Sequence, residues 1–198
     1  MSWDDRMFDQ LRGEVIASLE GAHSTSGVPF FVYVHPPAEE LRAVQAFEQL
    51  ALVLRGKGYQ VEVVYLGRLL ASALRSMPLY LGEGGRRAEE RSRASLQQEL
   101  SRPEGLPRKI ADALLSGVAD VCEPLAEGAQ NHCAILLRAG ALFPFVHVSQ
   151  ILTYLEQRTR WTVVVPFPGS SAPENGEALR FLDMTEGAYY RARVIHSR

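Results

Sequence analysis

The sequence predicts an α/β fold in which a mainly parallel sheet of about five strands carries helices on both faces. Apolar runs rich in β-branched and aromatic residues recur along the chain, as expected for strands buried on both faces. Segments with helical spacing of apolar residues separate most of these runs, and such helical crossovers join parallel strands. With 198 residues, of which 46% are hydrophobic and 22% charged, the chain has the composition of one globular domain.

The first half of the chain alternates helix and strand. Apolar residues three or four positions apart predict helices, and the continuous apolar run from Pro29 to Val34 predicts a buried strand. Pro36 and Pro37 end this strand, and Gly56 ends the helix that follows. The predicted elements are a helix at 7–19, a strand at 29–34, a helix at 38–54, a strand at 61–66 and a short helix at 69–74.

The second half begins with the most polar interval of the chain. Residues 82–107 contain few candidates for a core and predict an exposed helical insertion within a single domain spanning 1–198. Ser149 has the chemistry to cap the helix that follows it. The elements predicted after the insertion are a helix at 108–127, a strand at 133–138, a helix at 150–158, a strand at 161–165, a loop at 166–176, a short strand at 179–182 and a last strand at 189–195.

Charge and cysteine content limit the class of protein. The formal net charge of −2 and the pI of about 6.2 argue against a broadly basic face for nucleic acid. Cys122 and Cys133 are too few for a disulfide framework, which favours the reduced state found in the cytosol. The polar, acidic start lacks the pattern of a signal peptide, and no apolar run approaches the ~20 residues of a membrane span. We therefore expect a cytoplasmic protein.

The motifs of common active sites are missing from the sequence. The segment after the first strand, His35-Pro36-Pro37-Ala38-Glu39-Glu40, has no glycine or lysine where a phosphate loop needs them, and it carries two acids. Cys122, His132 and Cys133 lack the spacing of a structural zinc site. No nucleophile elbow of the Gly-x-Ser-x-Gly type is present. The sequence thus predicts no catalytic residue, metal or cofactor.

Two stretches rich in Phe and Pro remain as candidate contact surfaces. Gly140–Ser149 and Pro166–Gly169 each follow a predicted strand, so both are expected at the carboxyl edge of a parallel sheet, where ligands bind in open α/β folds. Their apolar character suits contact with a partner better than chemistry. In the alternative interpretation, these phenylalanines turn inward and cap the core. Arg191 and Arg193 alternate on the predicted last strand and so share one face. This face is either an anion-binding site or, more simply, a solvated edge of the sheet.

Four segments resemble, in their order, the motifs of the BrxB family. They are Gly140–Ser149, Pro166–Gly169, Leu179–Leu182 and Tyr189–Ala192. BrxB proteins are small accessory components of BREX, a bacterial phage-exclusion system. The resemblance implies a cytoplasmic protein working beside a methyltransferase, a large ATPase and the phosphatase-like protein PglZ, and it does not imply a known catalytic activity. It also implies the outline of a P-loop NTPase, here without a P-loop.

Three hypotheses about function follow. The leading one is a non-catalytic assembly component of a BREX anti-phage defence complex, which docks a partner such as PglZ and meets DNA only indirectly. A second is a small enzyme or nucleotide sensor with an unconventional site at the carboxyl edge. A third is a subunit that contacts DNA through the basic residues of 86–109. The candidate docking residues are Phe143, Phe145, His147, Phe167, Tyr190 and Arg191.

Overall fold

The computed structural model describes residues 3–22, 29–76, 98, 100–102, 105–125, 131–156, 158–171, 178–182, 188–189 and 191–196. The helices within these ranges are α1 (Asp5–Leu19), α2 (Glu40–Gly56), α3 (Leu66–Arg75), α4 (Leu106–Ser116) and α5 (Val148–Leu155). The strands are β1 (Phe30–His35), β2 (Gln60–Tyr65), β3 (His132–Leu137), β4 (Thr162–Ser171), β5 (Ala178–Phe181), β6 (Ala188–Tyr189) and β7 (Arg193–His196). Most of the expected insertion at 82–107 lies outside the described residues, so it stays a prediction.

The sheet confirms the predicted parallel architecture. Five strands lie in the order β2-β3-β4-β1-β7, and every neighbouring pair among them is parallel. β5 adds to the sheet by pairing antiparallel with the end of β4, and β6 pairs antiparallel with β5. No helix in the described ranges combines the length and apolar character that a membrane span requires.

Helices cover both faces of the sheet, as the continuous apolar strands predict. α1 and α2 pack on one face, against Phe31 and Tyr33 of β1. α3, α4 and α5 pack on the other, against Phe30, Val32 and Val34. All six residues of β1 are buried, because successive side chains point to opposite faces and both faces carry helices. We call these the α1/α2 face and the α4/α5 face.

The predicted loop at 166–176 is wrong in its first half, because β4 continues to Ser171. β1 pairs with β4 as far as His35 and Pro168, and β5 then pairs with Gly169–Ser171. Proline removes a ladder donor and usually ends a central strand, which is why the sequence favoured a loop. The main-chain pairing of β4 with β1 and β5 nevertheless continues the strand past these prolines. The last strand is also shorter than predicted, because Ala188–Tyr189 pairs with β5 and the pairing with β1 begins only at Arg193.

Several helix boundaries also differ from the prediction, among them the end of α4 and the start of α5. α4 ends at Ser116, because Gly117 adopts φ 74° and a Cβ there would lie 2.9 Å from Pro124. α5 begins at Val148, which places Ser149 inside its first turn and makes His147 the N-cap residue. The His147 main-chain N–H donates to Gln150 Oε1 at 3.0 Å. The Gln150 side chain thus makes the reciprocal contact of a capping box, and the helix does not begin with the serine cap that the sequence suggested.

Gly169 tests the continuation of β4. A Cβ at this position would overlap the carbonyl oxygen of Arg180 and lie 2.9 Å from the Phe167 ring. We expect Gly169→Ala to lower the free energy of unfolding by about 2–4 kcal/mol, because β5 must move away from β4. Urea denaturation followed by circular dichroism measures the change.

Gly13→Ala is the matched control. Gly13 lies in the exposed interior of α1, and a Cβ added there would meet nothing within 4 Å, so alanine should stabilise the protein by about 0.5–1 kcal/mol. Equal unfolding free energies for Gly169→Ala and the wild type would contradict the close approach of β5.

Candidate functional site

The chain after β3 folds back over the carboxyl edge of the sheet. A 3-10 turn at Ala139–Leu142 passes over β4, where a Cβ at Gly140 would lie 3.8 Å from Pro168. Phe143 and Phe145 follow, each half-buried and packed against the core on the α4/α5 face. The Phe143 ring stacks on Phe181 of β5 with centroids 5.6 Å apart. Both rings therefore combine an anchored side with an accessible side.

His147 completes this group on the solvent side. It is exposed at the start of α5, and its main chain is held by Gln150. Because the three residues lie within one short segment between the sheet and α5, we call Phe143, Phe145 and His147 the carboxyl-edge patch.

Two of the other predicted docking residues, Phe167 and Arg191, do not belong to this patch. Phe167 is fully buried in β4 and packs edge-to-face on Phe181, with centroids 5.3 Å apart, so it belongs to the core. Tyr190 lies outside the described residues. Phe167 thus fits the alternative in which part of the aromatic set caps the core.

Arg191 lies at the opposite end of α5. Its Nη1 lies 3.1 Å from both carboxylate oxygens of Glu156, the C-cap residue of the helix. His147 is the N-cap residue, so the helix separates the two by about 12 Å along its axis. Arg191 precedes β7, so it does not alternate with Arg193 on one strand as the sequence suggested.

A buried polar pair at the end of β1 was missed by the sequence analysis. His35 is fully buried, and its Nδ1 lies 3.0 Å from the carbonyl oxygen of Pro36. A carbonyl only accepts, so Nδ1 carries the hydrogen and Nε2 of the neutral ring is a bare acceptor. Nε2 lies 3.4 Å from Glu40 Oε2, yet neither atom has a hydrogen-bond partner among the described residues. The feature of the sequence that could have revealed this pair is a histidine at the end of an otherwise apolar strand.

Burial acts on both members of this pair in the direction of neutrality. Desolvation lowers the pKa of His35, against smaller opposing effects of the Pro36 carbonyl and Glu39. Desolvation likewise raises the pKa of Glu40, and the Arg138 charge opposes it. Arg138 follows β3 in the left-handed region with φ 63°, an uncommon conformation for arginine.

The pair occupies the place where a phosphate loop would stand. Glu39 ends the 3-10 turn before α2, and Glu40 is the first residue of the helix. A phosphate approaching the main-chain amides of this turn would meet carboxylates, which oppose an anion. This turn therefore does not provide a conventional phosphate cradle.

The two cysteines of the chain are free thiols, and both are buried. Cys133 is fully buried, and desolvation raises the pKa of its thiol to about 12. Burial also raises the pKa of the Cys122 thiol. Both thiols are thus poor nucleophiles at neutral pH. Within the described ranges, no three His, Cys, Asp or Glu residues are grouped to hold a metal ion.

A family model described as BREX protein BrxB matches residues 86–195, more than half of the chain. The matched interval contains the carboxyl-edge patch, Phe167, Tyr190 and Arg191, and it excludes His35 and Glu40. No curated protein and no solved structure matches the chain.

The lowered pKa of His35 predicts a direction of pH dependence. Below pH 6.5 the unfolded chain takes up a proton on His35, whereas the folded chain stays neutral until the lower folded pKa is reached. The stability from neutral His35 is thus present above pH 6.5 and is lost as the pH falls through the folded pKa. We expect NMR titration of the His35 imidazole to give a midpoint below 6.5.

Glu40→Gln isolates this effect. Because the pKa of Glu40 is raised in the folded chain, its neutral form contributes stability that is present below pH 4.5 and is lost as the pH rises through the folded pKa. As the pH falls from 6.5 towards 4.5, this gain from Glu40 therefore offsets part of the loss from His35. Urea unfolding at a series of pH values should therefore show a steeper loss of stability below pH 6.5 in Glu40→Gln than in the wild type. A His35 midpoint at or above 6.5 would overturn this account.

Proposed function

The chain belongs to the BrxB family and is thus a component of the BREX phage-exclusion system, in which we propose that it acts as a non-catalytic assembly component. In this proposal the carboxyl-edge patch docks a protein partner, and PglZ is the partner expected from the family resemblance. The observation that carries the proposal is the partial exposure of anchored aromatic rings, Phe143 and Phe145, within the interval that the family model matches.

The geometry of the patch suits a docking surface. Phe143 is held by Phe181, and the main chain at His147 is held by Gln150, so partner binding would cost little ordering of the loop. Pro144 further restricts the main chain between the two rings. Aromatic side chains with one accessible side dominate the binding energy of many interfaces. The exposed His147 adds a polar contact at the margin.

An enzymatic function has one observation in its favour, the His35–Glu40 pair. A buried pair of titratable groups at the carboxyl edge resembles an acid–base site. His35 is nevertheless fully buried, so a substrate would have to displace the start of α2 to reach Nε2. The pair also lies outside the family match. These points support the non-catalytic role. The DNA-contacting alternative depends on 86–109, most of which lies outside the described residues.

Two substitutions test the docking surface. His147→Glu introduces a negative charge at the exposed margin, and Phe145→Ala removes a half-buried anchor. We expect each to weaken co-purification with PglZ by about tenfold or more, because anchor residues in well-packed interfaces contribute on that scale. Phage plating efficiency reports the same loss in cells, and circular dichroism establishes that each variant is folded.

Two matched controls distinguish docking from general damage. Thr153→Glu places the same charge at an exposed position of α5, and Leu52→Ala shortens an exposed apolar side chain on α2. Both should leave PglZ binding unchanged. If His147→Glu and a folded Phe145→Ala both retain full binding and phage resistance, this edge is not the docking surface. Loss of binding only in Arg191→Ala would place the surface at the other end of α5.

A further inference from the structure

The outer face of α2 carries the most exposed large apolar side chains in the described part of the chain. Leu41, Leu52 and Val53 are 67%, 57% and 43% exposed. Leu41 and Leu52 are close to three helical turns apart, so both project from the same side of α2, about 16 Å from each other along its axis. Apolar side chains scattered singly over a surface need no explanation, whereas their alignment on one helix indicates a contact surface.

Two polar residues lie between the leucines on the same side of α2. Gln45 is exposed, and Glu48 is half-buried. The Tyr65 hydroxyl donates to Glu48 Oε1, which leaves Oε2 of this carboxylate without a partner among the described residues. We call Leu41, Gln45, Glu48 and Leu52 the α2 stripe.

The two arginines of α2 are held by other groups of their own chain. Arg42 Nη2 lies 3.3 Å from Asp5 Oδ1 of α1. Arg55 donates from Nε and Nη2 to the carbonyl oxygen of Val61, at 3.1 and 2.6 Å. Each guanidinium thus has a partner other than Glu48. The stripe therefore presents apolar side chains, one amide and one carboxylate.

The α2 stripe is complementary to itself when two copies of it run antiparallel. In a two-fold contact, residue i of one copy faces residue j of the other, and j faces i. A two-fold axis between residues 46 and 47 places Leu41 opposite Leu52 of the second copy, and Gln45 opposite its Glu48. The Gln45 amide then has the free carboxylate oxygen as its acceptor, and a leucine pair closes each end.

The charges at the two ends of α2 favour the same orientation. Glu39 and Glu40 lie at its start, and Arg55 and Lys57 lie at its end. Antiparallel pairing brings the acidic end of one helix beside the basic end of the other, and it also sets the two helix dipoles in opposite directions. Parallel pairing would put like charges together at both ends and would place the two Glu48 carboxylates side by side. Charge complementarity thus points to a second copy of the chain as the occupant of this face.

We propose that the α2 stripe joins two copies of this chain through an antiparallel contact between their α2 helices. A contact between two single helices is small beside the roughly 1,000 Å² that a stable interface buries, so the dissociation constant is expected to be on the order of 100 µM. α2 packs on the α1/α2 face, whereas the carboxyl-edge patch packs on the α4/α5 face. Both surfaces can therefore be occupied together, and the dimer is independent of the proposed docking of PglZ.

Sedimentation equilibrium measures this association. Between about 5 µM and about 1 mM protein, mass action should raise the mean mass of the wild type from 22.0 kDa towards twice that value. Leu52→Glu should weaken dimerisation by about tenfold or more, because it disrupts both leucine pairs at once. Leu52 is mostly exposed in the single chain, so the variant should fold, which circular dichroism checks. Thr153→Glu places the same charge at an exposed position of α5 on the other face and should leave dimerisation unchanged.

Two further experiments test the register. Gln45→Lys faces Glu48 of the second copy and should tighten dimerisation by about threefold, whereas Gln45→Glu should weaken it by a similar factor. A mixture of Leu41→Cys and Leu52→Cys should form a covalent dimer with a short bismaleimide, and neither variant alone should do so. The natural Cys122 and Cys133 are buried and should react little.

Three results would overturn the proposal. The first is a wild-type mass that stays at 22.0 kDa over the whole concentration range. The second is equal weakening by Thr153→Glu and Leu52→Glu. The third is cross-linking of Leu41→Cys alone that equals that of the mixture, which would indicate a parallel contact. None of these results bears on PglZ docking, and loss of PglZ docking in His147→Glu or Phe145→Ala leaves the sedimentation result unaffected, because the carboxyl-edge patch lies on the other face.

Discussion

The parallel pairing of β1 with β4 is the constraint on which the rest of the structure depends. Six residues of β1 pair in register with Val163–Pro168, and all six are buried. Buried main-chain N–H and C=O groups must find partners, so this ladder cannot slip without exposing them to apolar surroundings. β4 also pairs with β3 and β5, which makes it the strand that positions both edges of the sheet.

The length of β4 explains why the carboxyl edge carries two unlike groups. On the α4/α5 face, Phe167 and Phe181 form a support on which Phe143 stacks, and the patch is presented above it. In the register with β1, His35 lies beside Pro168 and packs beneath the start of α2. One strand therefore separates an apolar contact surface from a buried polar pair, and the two groups need not serve one function.

The two edges of the sheet differ in what they offer a partner. The carboxyl edge presents aromatic rings, which bind through burial of apolar area and good packing. The amino edge carries the carboxylates of Glu62, Asp120 and Glu123 around two adjoining cavities. The two ends of this small domain therefore differ chemically, and the chain as a whole belongs to a family of BREX components.

The sequence alone determined the parallel sheet, the helices on both faces and the family, because the spacing of apolar residues reports burial and the ordered motifs lie in residues 86–195. Only the tertiary structure decided which aromatic rings face the core, and it placed Arg191 away from His147. It also revealed the His35–Glu40 pair. Spacing along the chain records whether a segment is covered. Which distant segment covers it, as Phe181 covers Phe143, depends on contacts that local periodicity does not encode.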